Sequence, residues 1–190
     1  MKKYLGWLIT HSLFIAMLIS ILWDPHKLTW QFKYSAYVAV GFLCLILSLN
    51  PLKLIFPRWV LIHRLNRYRQ EIGVSVFSYA LIHVLCVVIG SGSLASWLSL
   101  AQYPPFVSVM LVSMPIFFIL AVTSTQFSKM KLGFKNWKRL HRLVYVAEAG
   151  VIFHLWMVGQ STLVTVLFLP LVVVQLLRWG IHAKSNSAIH

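Results

Sequence analysis

The chain has 190 residues, of which 59% are hydrophobic and 11% charged, and its mean hydropathy is +0.80. A soluble fold of this size has too little interior to hide that much apolar surface, which excludes a water-soluble enzyme domain. The net charge of +14 is carried by seventeen Lys and Arg residues in short segments between apolar runs, so the expected partner is the lipid bilayer and not a nucleic acid.

Six apolar runs follow one another at about 4–22, 34–50, 73–90, 106–124, 139–158 and 161–179. Each is long enough to cross a hydrocarbon layer of about 30 Å at about 1.5 Å per residue. Only helices keep their backbone groups satisfied there, so the expected fold is all-α, a single polytopic bundle of six transmembrane helices. The first run starts after Lys2 and Lys3, as a signal peptide does, but no small-x-small site follows in Ile19-Ser20-Ile21-Leu22-Trp23, and a retained helix is expected. Asn50-Pro51 is expected to close the second helix, and Tyr103-Pro104-Pro105 precedes the fourth. Pro115 and Pro170 fall inside runs, where membrane helices tolerate a kink. Cys44 and Cys86 lie in apolar runs and read as packing residues.

The connections differ sharply in charge. Lys and Arg number two before the first run, two in 23–33, five in 51–72, none in 91–105, six in 125–142 and two in the tail, so alternate sides carry fifteen against two. By the positive-inside rule both termini are cytoplasmic, and the 91–105 and 159–161 connections face the periplasm of a bacterial inner membrane. The uncharged 91–105 connection is the expected docking edge for a partner.

Of eight histidines, His83, His141 and His154 lie in or at the ends of runs with little other polarity. Imidazoles in lipid are costly enough that a role is the default reading. His83 sits roughly 14 Å into the third run and His154 near the periplasmic end of the fifth, so the two suit a six-coordinate haem iron. The competing reading is a hydrogen bond from each histidine to a neighbouring helix. With no Cys-x-x-Cys-His, such a haem is non-covalent, of b type, and the count is one or two. His141 lies roughly 20 Å lower on the fifth helix than His154 and suits a second site near the inner face, although thirteen residues leave the two side chains about 140° apart. Gly150 is a point where that helix can distort, and any partner ligand on the third helix falls at Arg69 or Gln70. His11 reads as a packed helix residue or a fallback inner ligand, and His26, His63, His182 and His190 as solvated.

Glu148 is the one acid inside an apolar run, a candidate either for taking quinol protons or for pairing with an Arg. Arg64, Arg67 and Arg69 precede the third helix. They read as a topological anchor at anionic lipid heads, or as a clamp for a flavin phosphate or a haem propionate.

The run Leu132-Gly133-Phe134-Lys135-Asn136-Trp137-Lys138-Arg139-Leu140-His141-Arg142-Leu143-Val144-Tyr145 resembles the Leu-Gly-x-x-Trp-x-x-Leu-His-Arg-Leu-x-Tyr signature of the MsrQ (YedZ) family, in the ferric-reductase-like transmembrane group. Thr123-Ser124, Phe77-Ser78-Tyr79-Ala80-Leu81-Ile82-His83 and Asn50-Pro51 extend the likeness over about residues 36–158. The resemblance implies one ferric-reductase-like transmembrane domain over the chain. It implies a haem-binding electron-transfer subunit that takes electrons from the quinone pool (quinol) and passes them to a periplasmic molybdopterin-containing methionine sulfoxide reductase. It implies that His83, His141 and His154 are the haem histidines, and it associates flavin mononucleotide (FMN) with the basic stretch of Arg67 and Arg69. The family usually has adjacent arginines before a Gly-Leu, where this chain has Arg67-Tyr68-Arg69-Gln70-Glu71-Ile72-Gly73. A ferric reductase or a haem-free transporter is the alternative. No G-x-G-x-x-G is present, so a self-contained nicotinamide-driven reductase is not expected.

Overall fold

A computed structural model describes residues 2–24, 28–93, 95–96, 99 and 105–187, and all regular structure among them is helical. Helix α1 covers Lys2–Trp23, α2 Leu28–Ile55, α3 Val60–Arg67, α4 Arg69–Gly90 and α5 Pro105–Val122. After a turn come α6, Gln126–Leu132, and α7, Phe134–Leu140. A 3-10 turn at His141–Leu143 leads into α8, Val144–Met157, and α9 covers Ser161–Ser187. His26, His190, Tyr103-Pro104 and most of the 91–105 connection lie outside the described residues.

Among the described residues, four stretches are long and apolar enough to cross a membrane: Gly6–Trp23, Leu28–Ile55, Arg69–Gly90 and Ser161–Gly180. Ser108–Val122 and Gln126–Leu132 qualify only together, and they are bent by 97°. The expected fourth run therefore stops at Val122. Thr125 takes an extended conformation and its side chain accepts from the Ser128 amide at 3.1 Å, capping α6 in a new direction. The expected fifth run is divided as well, because α8 has only 14 residues. Leu140, His141, Leu143 and Val144 nevertheless all keep right-handed helical angles, so 134–157 is one rod with a single tightened turn. Asn50-Pro51 does not end α2, which runs on to Ile55 with Pro51 fully buried. One proline costs the Leu47 carbonyl its helical donor, which membrane helices tolerate.

The centre of the bundle is the antiparallel pair α2 and α4. Asn50 meets Arg69 at one end, Phe42 meets Tyr79 midway, and Phe32 meets His83 at the other. Helix α1 runs parallel to α4, with the Tyr79 hydroxyl donating to the Thr10 carbonyl at 2.9 Å. Helix α5 packs antiparallel to the 134–157 rod, from Ser113 at Gly150 to Thr123 at Trp137 and His141. Cys44 and Cys86 both sit in the apolar packing. On the outside, Leu8, Ile15, Ile19, Val112, Val166, Leu169 and Leu176 are each more than half exposed. That surface is far too apolar for water and suits hydrocarbon.

In lipid, helices associate by close van der Waals contact and not by hiding apolar area from water. Gly150 makes the tightest such contact: a Cβ there would collide with the Ser113 hydroxyl and stand 3.1 Å from Val109 Cγ1. Around Gly41 nothing lies within 4 Å. Gly150→Leu should therefore lower the thermal midpoint in detergent, at an overpacking cost of about 1–3 kcal/mol, while Gly41→Leu leaves it in place. Equal midpoints in both variants would mean that α5 and α8 do not touch as described.

Candidate functional site

Two hollows run along the seam between α2, α4, α5 and α8. The outer one is a slot of about 70 Å³ whose walls include Ala36, Ala39, Ala80, Met110, Met114, His83 and His154. The small alanines leave the room, and the unbranched methionines form a wall that can adjust.

His83 and His154 face each other across this slot with ring centres 6.4 Å apart and planes at 86°. A metal ion held by one nitrogen of each ring, at roughly 2 Å, separates the ring centres by roughly 6 Å. The His83 Nδ1 lies 3.0 Å from the Phe32 carbonyl, and its ring stacks on the Phe32 ring at 4.3 Å. A carbonyl can only accept, so Nδ1 carries the proton and Nε2 keeps its lone pair for a ligand. This is how metal-binding imidazoles are usually oriented from behind.

The inner hollow is a chamber of about 610 Å³, a size that suits a small-molecule cofactor. Arg67, Arg69 and His141, three of the residues singled out from the sequence, meet on its wall, whereas Arg64 is exposed and does not line it. Lys129, Lys138, Arg142 and Arg178 line it too, with no acidic side chain among its described walls. Such a concentration of cation at one end of an apolar bundle favours an anionic occupant. Arg69 is anchored by the Asn50 side-chain oxygen. Asn66 contributes a buried Oδ1 with no hydrogen-bond partner, an unused acceptor on the chamber wall.

His141 is held in the chamber wall from two sides. The Thr123 hydroxyl donates to the Ile119 carbonyl at 2.6 Å and so accepts from His141 Nε2 at 3.2 Å. The Trp137 ring packs against His141 with centres 4.1 Å apart and planes tilted by 33°, its indole N–H donates to the Thr123 carbonyl at 2.8 Å, and Lys129 Nζ sits 4.9 Å over its face. No second histidine lines the chamber among the described residues; Arg69 and Gln70 occupy the facing positions on α4. The 3-10 turn at His141–Leu143 also changes the angle that ideal winding gives between His141 and His154. Three residues wound as 3-10 advance about 120° each instead of about 100°, which brings about 140° down to roughly 80°. Gly150 does not interrupt the helix, since α8 is continuous from Val144 to Met157.

Of the remaining polar candidates, His11 and Glu148 lie in the packing, away from the walls of both hollows, and His63 is exposed. His11 Nδ1 bonds the Thr10 hydroxyl at 2.9 Å and its ring lies between Trp7 and Phe14. His63 Nε2 bonds the Pro57 carbonyl at 2.7 Å, and His182 falls on α9. Glu148, 4% exposed, takes its hydrogen bonds from Gln175 Nε2 at 3.2 and 3.4 Å, and not from an Arg. Trp137 and Arg142 stood in the motif without an assigned part, while Asn66 and Arg178 carried no local signal; Arg178 reaches the chamber from the last helix. Leu43, Val76 and Phe117 line both hollows and form the partition between them.

Residues 34–153 match the family described as ferric reductase like transmembrane component. The heme-binding subunit MsrQ of protein-methionine-sulfoxide reductase from Brucella ovis is 32% identical over 158 residues, covering 82% of this chain and 68% of that protein. The corresponding protein of Brucella canis matches equally. The magnetosome protein MamZ of Magnetospirillum gryphiswaldense is 36% identical over 127 residues, which cover 64% of this chain and only 18% of MamZ. No solved structure matches. The family match over the seam helices and the MsrQ match over most of the chain agree with the apolar helices, and the chain belongs to the MsrQ family of ferric-reductase-like, multi-pass transmembrane proteins.

Proposed function

We propose that the chain is a b-type haem-binding electron-transfer subunit of a bacterial inner membrane, carrying electrons from the quinone pool to a periplasmic molybdopterin-containing methionine sulfoxide reductase. The observation that carries this reading is the His83–His154 pair, 6.4 Å apart across an alanine-lined slot, with the His83 tautomer set by Phe32. The donor set fits haem: two neutral imidazoles, apolar walls and no competing acid in the slot. Bound haem supplies the one-electron iron chemistry. His83 and His154 would each offer it a ring nitrogen, the apolar walls would exclude water, and Met110 and Met114 are side chains that can yield to seat a macrocycle.

The chamber is the electron entry. Arg67 and Arg69 suit the phosphate of FMN, and Leu43, Leu47, Phe117 and Leu120 suit the flat ring of a flavin or a quinone. His141, braced by Thr123 and Trp137, is the inner histidine of the path.

Six crossings with both termini cytoplasmic are supported by which ends share the chamber. Arg67 and Arg69, Lys129 and Lys138, and Arg178 come from three charged connections and meet at one end. Gly6 near the N-terminus packs on Tyr68 and Glu71 at that same end. The fifteen-to-two distribution of Lys and Arg supports a cytoplasmic position for that end.

Detergent-purified protein is expected to give a b-type reduced-minus-oxidised spectrum that His83→Ala and His154→Ala each abolish. Wild type without haem despite ample haem supply sinks the proposal. Replacing both Arg67 and Arg69 with Ala should leave that spectrum in place but slow quinol-dependent haem reduction about tenfold or more, since charge-assisted contacts worth about 1.5–3 kcal/mol are lost. An unchanged rate takes the chamber off the path. A fluorescent protein fused after His190 should glow and a periplasm-dependent phosphatase there should stay silent; the reverse pattern inverts the topology.

A further inference from the structure

Glu148 is used by neither hollow, yet it lies between them. On α8, Val144 lines the inner chamber and Val151 and Leu155 line the outer slot, and Glu148 falls in the same stripe at helical spacing. It lies roughly 9 Å along the axis from His154 and roughly 10 Å from His141. Its side chain is 4% exposed, and its hydrogen bonds come from Gln175 on α9.

The choice of partner is informative. An arginine would hold the carboxylate permanently ionised, because a guanidinium offers only donors. A primary amide offers N–H to a carboxylate and, after a flip, its carbonyl to the O–H of a carboxylic acid. Gln175 therefore serves both protonation states without leaving a buried group unpaired. The surroundings leave the choice open. Helix α2 offers the Cys44 thiol within electrostatic reach, and α5 brings Ser113 but no charged or histidine side chain anywhere in 105–122. Helix α9 adds Arg178 one turn beyond Gln175, on the chamber wall beside Arg69 and Tyr145.

From this placement we infer that Glu148 is a proton-binding site linked to the electron: reduction of the outer site draws one proton onto the Glu148 carboxylate, and reoxidation releases it. The balance is one electron to the iron and one proton to one carboxylate oxygen, so that the interior, poor in dielectric, takes up no net charge. The inference rests on the haem reading above. Gln175 acts through Glu148 as a positioning residue.

The test is a spectroelectrochemical titration of the haem-loaded full chain across pH, with reduced-minus-oxidised infrared spectra, on wild type, Glu148→Gln and Gln175→Leu. The wild-type midpoint should fall as pH rises, and reduction should bring up a protonated-carboxyl band. Glu148→Gln should lose that band and the pH dependence while keeping the haem spectrum. Gln175→Leu should retain the band, shifted, and move the pH at which the potential bends; this variant and the wild-type band decide the matter if Glu148→Gln fails to fold. A haem whose potential ignores pH in wild type, or responds equally in Glu148→Gln, overturns the inference and leaves the haem reading standing. Absence of haem from wild type overturns both.

Discussion

The antiparallel contact of α2 with α4 fixes the rest of the molecule, because each end of it prepares one of the two hollows. At one end the Phe32 carbonyl of α2 accepts a hydrogen bond from His83 Nδ1–H and leaves the other ring nitrogen free for the slot. At the other, Asn50 of α2 holds Arg69 on the chamber wall. Register between two helices thereby becomes chemistry. Moving α2 by one residue along α4 would misplace a tautomer at one end and a guanidinium at the other, eighteen residues apart along α2 and fourteen along α4. Lipid makes this register firm, since polar groups that lose their partners there find no water to replace them.

The second half of the bundle supplies what this pair lacks. His154 comes from α8, drawn close to α5 at Gly150, where only a glycine fits beside Ser113. The other chamber residues arrive through the bend after Val122. Thr123 uses its carbonyl for Trp137 and its hydroxyl for His141, so one turn residue ties the end of α5 to the start of the next rod. The family signature in this region is thus a description of a corner: threonine, tryptophan and histidine locked together where the chain changes direction by 97°.

Much of this was legible in advance. The all-helical fold followed from hydropathy and the backbone's need for internal hydrogen bonds. Arg67, Arg69 and His141 were each marked by charge placement and by the resemblance, but the chamber they share was not. Helix ends were harder to read. Asn50-Pro51 has the local chemistry of a stop, yet tertiary burial carried α2 through it. The tightened turn at His141–Leu143 has no proline or glycine to announce it, and it alters the relative direction of two histidines that simple periodicity set far apart. Glu148 was visible as a lone acid, but its partner was not, because Gln175 lies 27 residues on, in a different helix, and carries no charge. Arg178 escaped for the same reason: only the folded bundle brings it to the chamber.

The partition between the hollows has a consequence of its own. Leu43, Val76 and Phe117 belong to both walls, so the septum is a single layer of side chains contributed by α2, α4 and α5. Tunnelling falls off steeply with the thickness of the insulator, and here that thickness is one residue deep. On the electron path proposed above, the conductance of the seam depends on these three apolar side chains. Trimming Phe117 or thickening Val76 would tune it as surely as any change in the groups on either side.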